Sequence, residues 1–247
     1  MGYKYKLHEH YIAFENLLLN IQSHFSMSTS SIHKARNELK IINHNDLDTI
    51  VKSFKKPNII NQIAYTFLRD SKSKKSYTNS LKLTVFTPQP IGYIEFYAYG
   101  LLNDSYFISE KFNYDFTIRE PLLDDNFEDK EEILRAFARF SLELHNNNIF
   151  HDDYSPGNIL IKKENSELIF KVVDINRMKF FTLEEEDRAK NFSKLWASDD
   201  ELRIIADEYA KHYDCSTNFS EMVCDYSNQN KKIKNFKKRL KGKPVND

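Results

Sequence analysis

Glycine is scarce in this chain. Five occur among 247 residues: Gly2, Gly92, Gly100, Gly157 and Gly242. No G-x-G-x-x-G is present, which excludes the glycine-rich loop whose backbone closes over a nucleotide's phosphates. Cysteine is limited to Cys215 and Cys224, too few for a disulfide framework and in keeping with a reducing, cytoplasmic setting. His212 is near them in sequence, but the spacing fits no common zinc pattern, so packed thiols and a surface imidazole are expected. "HEH" at 8–10 likewise reads as a solvated face. Net charge is missing too, since Lys+Arg and Asp+Glu both number 36. That balance excludes a globally basic nucleic-acid binder. No apolar run approaches the roughly 18 residues of a membrane-spanning helix. "MGYKYKLHEHYIAFENLLL" holds no long apolar segment and no small-residue cleavage site, so no signal peptide is expected.

Apolar material, by contrast, is ample. At 40% hydrophobic and 14% aromatic residues, the chain can fill the core of one large domain or two smaller lobes. Strands come first. "DTIVKSF" (48–54) mixes β-branched and aromatic residues and reads as a strand. "NIINQIAYTFLRDSKSKKSYTNSLKL" (58–83) has helical periodicity interrupted by the charge run "SKSKKS". "TPQPIGYIEFYAYG" (87–100) continues from two prolines into a strand, and "LLNDSYFISEKF" (101–112) reads as its antiparallel partner, with Asn103-Asp104 at the turn. Helices dominate later. Ile133, Phe137, Phe140 and Leu144 repeat at helical spacing within 124–149, with Asp125 or Asn126 as N-cap and "NNN" (146–148) as the stop. "NILIKK" (158–163), "ENS" and "ELIFKVVDI" (167–175) spell a hairpin, and Ser198 with Glu201 forms a capping box for a further helix. The order implies an α+β fold with a β-rich N-lobe over residues 1–110 containing one main helix. A mainly helical C-lobe follows over 111–247, with a basic tail from about 228.

One stretch concentrates chemistry: "IFHDDYSPGNILIK" (149–162). The hairpin that follows returns Asp174 beside Asn158, and the loop ahead of Asn158 carries Asp153. Carboxylates and a carboxamide oxygen suit Mg2+, a hard cation that shares its ligands with substrate phosphates. A further carboxylate nearby can take the proton of a hydroxyl nucleophile. The spacing of His151, Asp153 and Asn158, followed by Asp174, is that of a protein-kinase-like catalytic loop and metal aspartate. "TIVK" (49–52) supplies Lys52 where that layout has its strand lysine. Glu110 and Phe112 are adenine-side candidates by position alone.

The segments "VKSFK", "TPQPIGYIE", "SYFISE", "DFTIREPLL", "AFARFSLELHNNNIFHDDYSPGNILI" and "VDINRMKF" resemble the Kdo/WaaP lipopolysaccharide core kinase family, and within it the InaA-type branch. "DINRMKF" in place of "DFG" is the most specific piece. The resemblance implies transfer of the ATP γ-phosphate to a heptose or Kdo hydroxyl of the inner core at the cytoplasmic face of the inner membrane. It implies Asp153 as catalytic base, Asn158 and Asp174 as ligands of Mg2+ and nucleotide, and Lys52 on the α- and β-phosphates. Ser155 stands where protein kinases carry a lysine on the γ-phosphate, which favours a non-protein acceptor. Arg177 and Lys179 are placed to meet a phosphorylated glycan.

Two features depart from the pattern. "SMSTSSIHKARN" takes the place of the glycine-rich loop, and Thr78 and Asn79 stand where the lysine's helix glutamate is expected. Three functional classes therefore stay open: a lipopolysaccharide kinase, a kinase of the same fold for another small molecule or a protein, and a non-catalytic binding module. The tail "NKKIKNFKKRLKGK" (230–243) places Ile233, Phe236 and Leu240 at helical spacing among lysines. Such a basic amphipathic helix suits peripheral contact with an anionic membrane. No aromatic platform accompanies it, so nucleic acid is not expected as a partner.

Overall fold

The computed structural model describes residues 2–34, 37–242 and 244. The backbone divides into two compact units, one running to Asn113 and one starting at Tyr114.

The first unit is built on β1 (Gly2–Leu7), β2 (Ser31–Lys34), β3 (Asn37–His44), β4 (Leu47–Phe54), β5 (Pro90–Ala98) and β6 (Leu101–Glu110). They form one antiparallel sheet in the order β1-β5-β6-β4-β3-β2. Successive side chains of a strand alternate between faces, and both faces are used. On one, α1 (Glu15–Leu19) and α2 (Ile21–Met27) bury Leu17, Leu18, Ile21 and Phe25 against Val51, Ile94, Tyr106 and Ile108. On the other, Phe54, Tyr93 and Phe107 meet Tyr77 of α4 (Lys72–Leu83). Upstream of it, α3 (Ile59–Ile63) runs on through a π-type turn over Ala64–Leu68.

Two local expectations fail here. The charge run does not interrupt the helix; it belongs to α4. Ser71 caps that helix by accepting the Lys74 N–H at 3.1 Å, and lysine is a good helix former once a cap is in place. The break lies just upstream, where Arg69 is extended (φ −152, ψ 154). The turn joining β5 to β6 is Tyr99-Gly100, at φ +52 and +78, the left-handed pair of a tight hairpin. Asn103 and Asp104 sit within β6, and Asp104 faces Phe96 across the ladder.

The second unit contains β7 (Phe116–Thr117), β8 (Ile149–His151), β9 (Ile159–Glu164), β10 (Glu167–Val172) and β11 (Met178–Phe180). Its helices are α5 (Arg119–Leu123), α6 (Lys130–Asn146), α7 (Glu185–Asn191), α8 (Asp199–Ala210) and α9 (Phe219–Arg239). α6 is the core element: Ile133, Leu134, Phe137 and Ala138 are fully buried, and it packs against α8, which packs in turn on α9. The cap of α6 is Asp129, in the left-handed region at φ +58, and not Asp125 or Asn126. Those two belong to a turn in which Asp124 Oδ1 accepts the Asn126 N–H at 2.9 Å. Ser198 and Glu201 cap α8 reciprocally. As far as Arg239, the basic tail is the last part of a longer helix that begins at Phe219.

Candidate active site

The hairpin of β9 and β10 turns at Asn165-Ser166, both left-handed, and closes with Val172 opposite Ile159. The residues just outside the pairing therefore meet: Val173 N–H donates to the Asn158 carbonyl at 2.9 Å. Asp174 follows at φ +56, ψ +43, a conformation that aspartate tolerates better than most residues. Its Oδ1 accepts from Asn176 Nδ2 at 3.0 Å.

The loop ahead of β9 is held by its own backbone. Ser155 N–H donates to the Asp153 carbonyl at 2.7 Å, and Asn158 N–H to the Ser155 carbonyl at 2.9 Å. The Asn158 side chain donates Nδ2–H to the Asp153 carbonyl at 2.9 Å, so its Oδ1 lies at the other end of the planar amide. Tyr154 points inward, fully buried, and shares a 2.9 Å hydrogen bond with Ser141 of α6. Arg119 lies against Gly157, where an added Cβ would be 2.7 Å from the end of its flexible guanidinium side chain.

His151 ties the two arms of the site together. It is 1% exposed. Its Nδ1 accepts the Asp153 N–H at 3.1 Å, and its Nε2 lies 2.9 Å from the Val173 carbonyl. One nitrogen accepts and the other faces an acceptor, so the ring is the neutral Nε2–H tautomer. Burial holds its pKa below the ordinary histidine value.

Behind this ring runs a buried polar chain. Arg188 donates to Tyr209 Oη at 2.9 Å, and Tyr209 meets His145 Nδ1 at 2.9 Å. His145 Nε2 lies 3.1 Å from Asn191 Oδ1, and Asn191 Nδ2 donates to the His151 carbonyl at 2.9 Å. α7, α6 and α8 thus position the candidate catalytic loop from beneath. Sequence reading missed Asn191 altogether, because nothing local marks an asparagine that serves a loop 40 residues upstream.

Asp153 is half-exposed and carries Arg177 at 3.8 Å. Asp152 pairs with Lys179 at 3.1 Å, and its carbonyl accepts from Lys194. Asp153, Ser155, Asn158 and Asp174 are therefore linked through one hydrogen-bonded framework. Among the described residues, no three His, Cys, Asp or Glu side chains form a metal cluster. The oxygen donors of Asn158 and Asp174 suit a hard cation that takes its remaining ligands from phosphates and water.

In the first unit, Lys52 lies on β4 opposite Phe107, with Nζ 5.4 Å from the Phe54 ring. Lys52 shares the parity of Phe54, the strand face on which α4 packs, and α4 carries no acid. Glu110 Oε1 accepts the Tyr11 hydroxyl at 2.5 Å, and burial with that carboxylate pushes the phenol's pKa up. Phe112 is half-buried just beyond β6. A second acid escaped notice in the sequence: Glu95 of β5 is 5% exposed and accepts from Tyr97 Oη at 2.8 Å.

Residues 84–212, more than half of the chain, match the lipopolysaccharide kinase (Kdo/WaaP) family. The chain belongs to that family. This lipopolysaccharide kinase is accordingly a phosphotransferase with an alcohol group as acceptor. Among solved structures it is similar to one described as WaaP in complex with acyl carrier protein, at TM-score 0.62 and 12% identity over 93% of this chain and 99% of that one. At that identity the likeness establishes the fold, which is α+β and protein-kinase-like. No curated protein matches the chain.

Proposed function

We propose that this lipopolysaccharide kinase transfers the γ-phosphoryl group of ATP to a heptose or Kdo hydroxyl of the lipopolysaccharide inner core. The observation that carries the reading is the hydrogen-bonded framework joining Asp153, Asn158 and Asp174 through His151 and Val173. In this reading Asp153 orients the acceptor hydroxyl and takes its proton as the O–P bond forms, a contribution of about 10²–10⁴-fold. Asn158 Oδ1 and Asp174 would hold Mg2+, which when bound would supply positive charge against the charge developing on the transferred phosphoryl group. Lys52 pairs with the α- and β-phosphates, and Glu110 and Phe112 belong to the adenine side. Ser155 keeps the loop neutral where a protein kinase would add a cation, in keeping with a glycan acceptor.

The last turns of α9 fit a peripheral place on the cytoplasmic face of the inner membrane. Ile233, Phe236 and Leu240 are exposed there among lysines, and each Lys or Arg near an anionic surface contributes about 1 kcal/mol. No helix among the described residues is long and apolar enough to cross a membrane.

The deciding experiment is ATP turnover with purified core oligosaccharide, with and without Mg2+, for wild type and Asp153→Ala. The expected result is Mg2+-dependent glycan phosphorylation reduced by about 10²–10⁴-fold in the variant. A wild type no faster than Asp153→Ala removes catalysis from the site and leaves a binding module, the reading that the acid-free α4 favours. Phosphorylation of a protein or amino alcohol but of no glycan removes the glycan assignment alone.

A further inference from the structure

A cleft of about 370 Å³ opens beside the catalytic loop, within the second unit. Its walls include Phe150, His151 and Asp152 on one side, Lys190 and Lys194 on another, and Ile233 of α9. The volume is in the range of small-ligand sites. Lys190 and Lys194 are the cations of its lining. Lys194 donates to the Asp152 carbonyl. Outside that lining, Lys234, which follows Ile233 on α9, and Lys238 one turn on place their amines 5.3 and 5.6 Å from the Trp196 ring centre.

The carboxylates nearby are Asp152, taken up by Lys179, and Asp153, beside Arg177. Among the described residues, Lys190, Lys194, Lys234 and Lys238 form no ion pair within 4.0 Å. Lys130 and Lys211 of the same unit, by contrast, are matched by Glu201 and Glu208. Burial, then the like charge of Lys194, push the Lys234 pKa down, while Asp153 acts against them. Lys234 therefore stands within electrostatic reach of both the cation at the cleft and the proposed base.

Trp196 holds this arrangement. Its φ is +60, a strained conformation for a bulky side chain. Its ring is 38% exposed and offers a π face to two ammonium groups, an attraction that fixes their direction. Amines gathered without counter-ions at a cleft are a receptor for an anion.

We propose that this cleft, through Lys194 of its lining, together with the adjoining Lys234 and Lys238 that Trp196 positions, forms an acceptor subsite that binds an anionic substituent of the glycan, a phosphate monoester or a carboxylate. The proposal rests on the kinase reading of Asp153 for its role, but the binding itself does not.

Trp196 is the single tryptophan in the chain, so its fluorescence reports the site directly. Glucose 6-phosphate, added without nucleotide, is expected to change the emission saturably, and neutral glucose to leave it flat. K234Q/K238Q is expected to weaken the response at least about tenfold and K234R/K238R to keep it within about threefold, since each charged hydrogen bond lost is worth about a factor of ten. Added salt is expected to weaken wild-type binding. Equal responses to glucose and glucose 6-phosphate, or equal affinity in wild type and K234Q/K238Q, overturn the proposal. A response to phosphatidylglycerol vesicles but not to the sugar phosphate also overturns it, in favour of a lipid surface. A chain that binds glucose 6-phosphate at this site but turns over no ATP loses only the kinase reading. One that phosphorylates glycan without a saturable Trp196 response loses only the subsite.

Discussion

The Nε2 atom of His151 lies 2.9 Å from the carbonyl oxygen of Val173, the residue that precedes Asp174. Because Nδ1 of the same ring receives the Asp153 N–H, one neutral imidazole sets the spacing between the two aspartates on which the proposed chemistry depends. A residue outside the proposed substrate contacts thus governs the geometry of the two aspartates proposed to make them.

Asn191→Leu tests the support beneath that ring. The substitution removes the donor to the His151 carbonyl and the acceptor facing His145. Loss of sub-ångström alignment is expected to reduce kcat by about tenfold to a hundredfold. Steady-state kinetics with ATP and core oligosaccharide, alongside a melting curve, checks this; an unchanged kcat in a folded variant refutes the positioning role.

Stability is expected to fall on mild acidification. Burial depresses the His145 pKa from 6.5 to about 3, and His151 is shifted in the same direction. Between those limits the unfolded chain binds a proton that folded His145 does not. Its contribution is therefore complete above about pH 6.5 and declines as pH falls, by up to about 1.4 kcal/mol per pH unit. Urea denaturation at stepped pH values measures the slope; His145→Gln is expected to flatten it.

Glu208→Gln removes the hub that joins α8 to α6. The carboxylate is nearly buried and faces Lys211 at 2.8 Å, Arg139 at 2.5 Å and Arg135 at 3.4 Å. The Lys211 hydrogen bond, with help from Arg139, lowers its pKa to about 2. The folded-state value lies below the unfolded one, so the stabilisation is present above about pH 4.5 and lost on descent towards 2. A destabilisation of about 1–3 kcal/mol at pH 7 is expected, read as a shift in the denaturation midpoint that shrinks in acid.

Gly92→Ala is expected to destabilise the first unit by about 1–3 kcal/mol. The added Cβ would sit 2.7 Å from the Lys6 carbonyl and 3.3 Å from Leu18, so β1 must move off β5. Tyr99→Asn is expected to act the other way, by about 1 kcal/mol, because asparagine tolerates the left-handed turn position at φ +52 that tyrosine occupies under strain. Thermal melts of both variants settle the signs.

The hairpin that brings the candidate site's residues together is legible because its signal is local: eight consecutive residues, a hairpin and one aspartate, all within 26 positions from Ile149 to Asp174. The strand pair β5 and β6 was legible from its alternation, yet its turn was misplaced. Tyr99-Gly100 carries only one turn residue, whereas Asn103-Asp104 carries two, and sheet pairing overrode that preference. The cap of α6 was missed for a related reason. Acids fill positions 124–129 densely, and composition alone does not say which of them adopts the left-handed conformation. The support beneath the loop is invisible in the sequence because Asn191 and Arg188 of α7, Tyr209 of α8 and His145 of α6 come together from three helices far apart along the chain.

The hairpin that carries Asn158 and Asp174 to each other is fastened at its open end, by Val173 and Asn158, and its tip at Asn165-Ser166 is remote from that fastening. Length variation at the tip therefore leaves the end that carries the proposed metal ligands in register. A reporter peptide spliced between Asn165 and Ser166 is the natural handle for tethering this enzyme or following it in a cell.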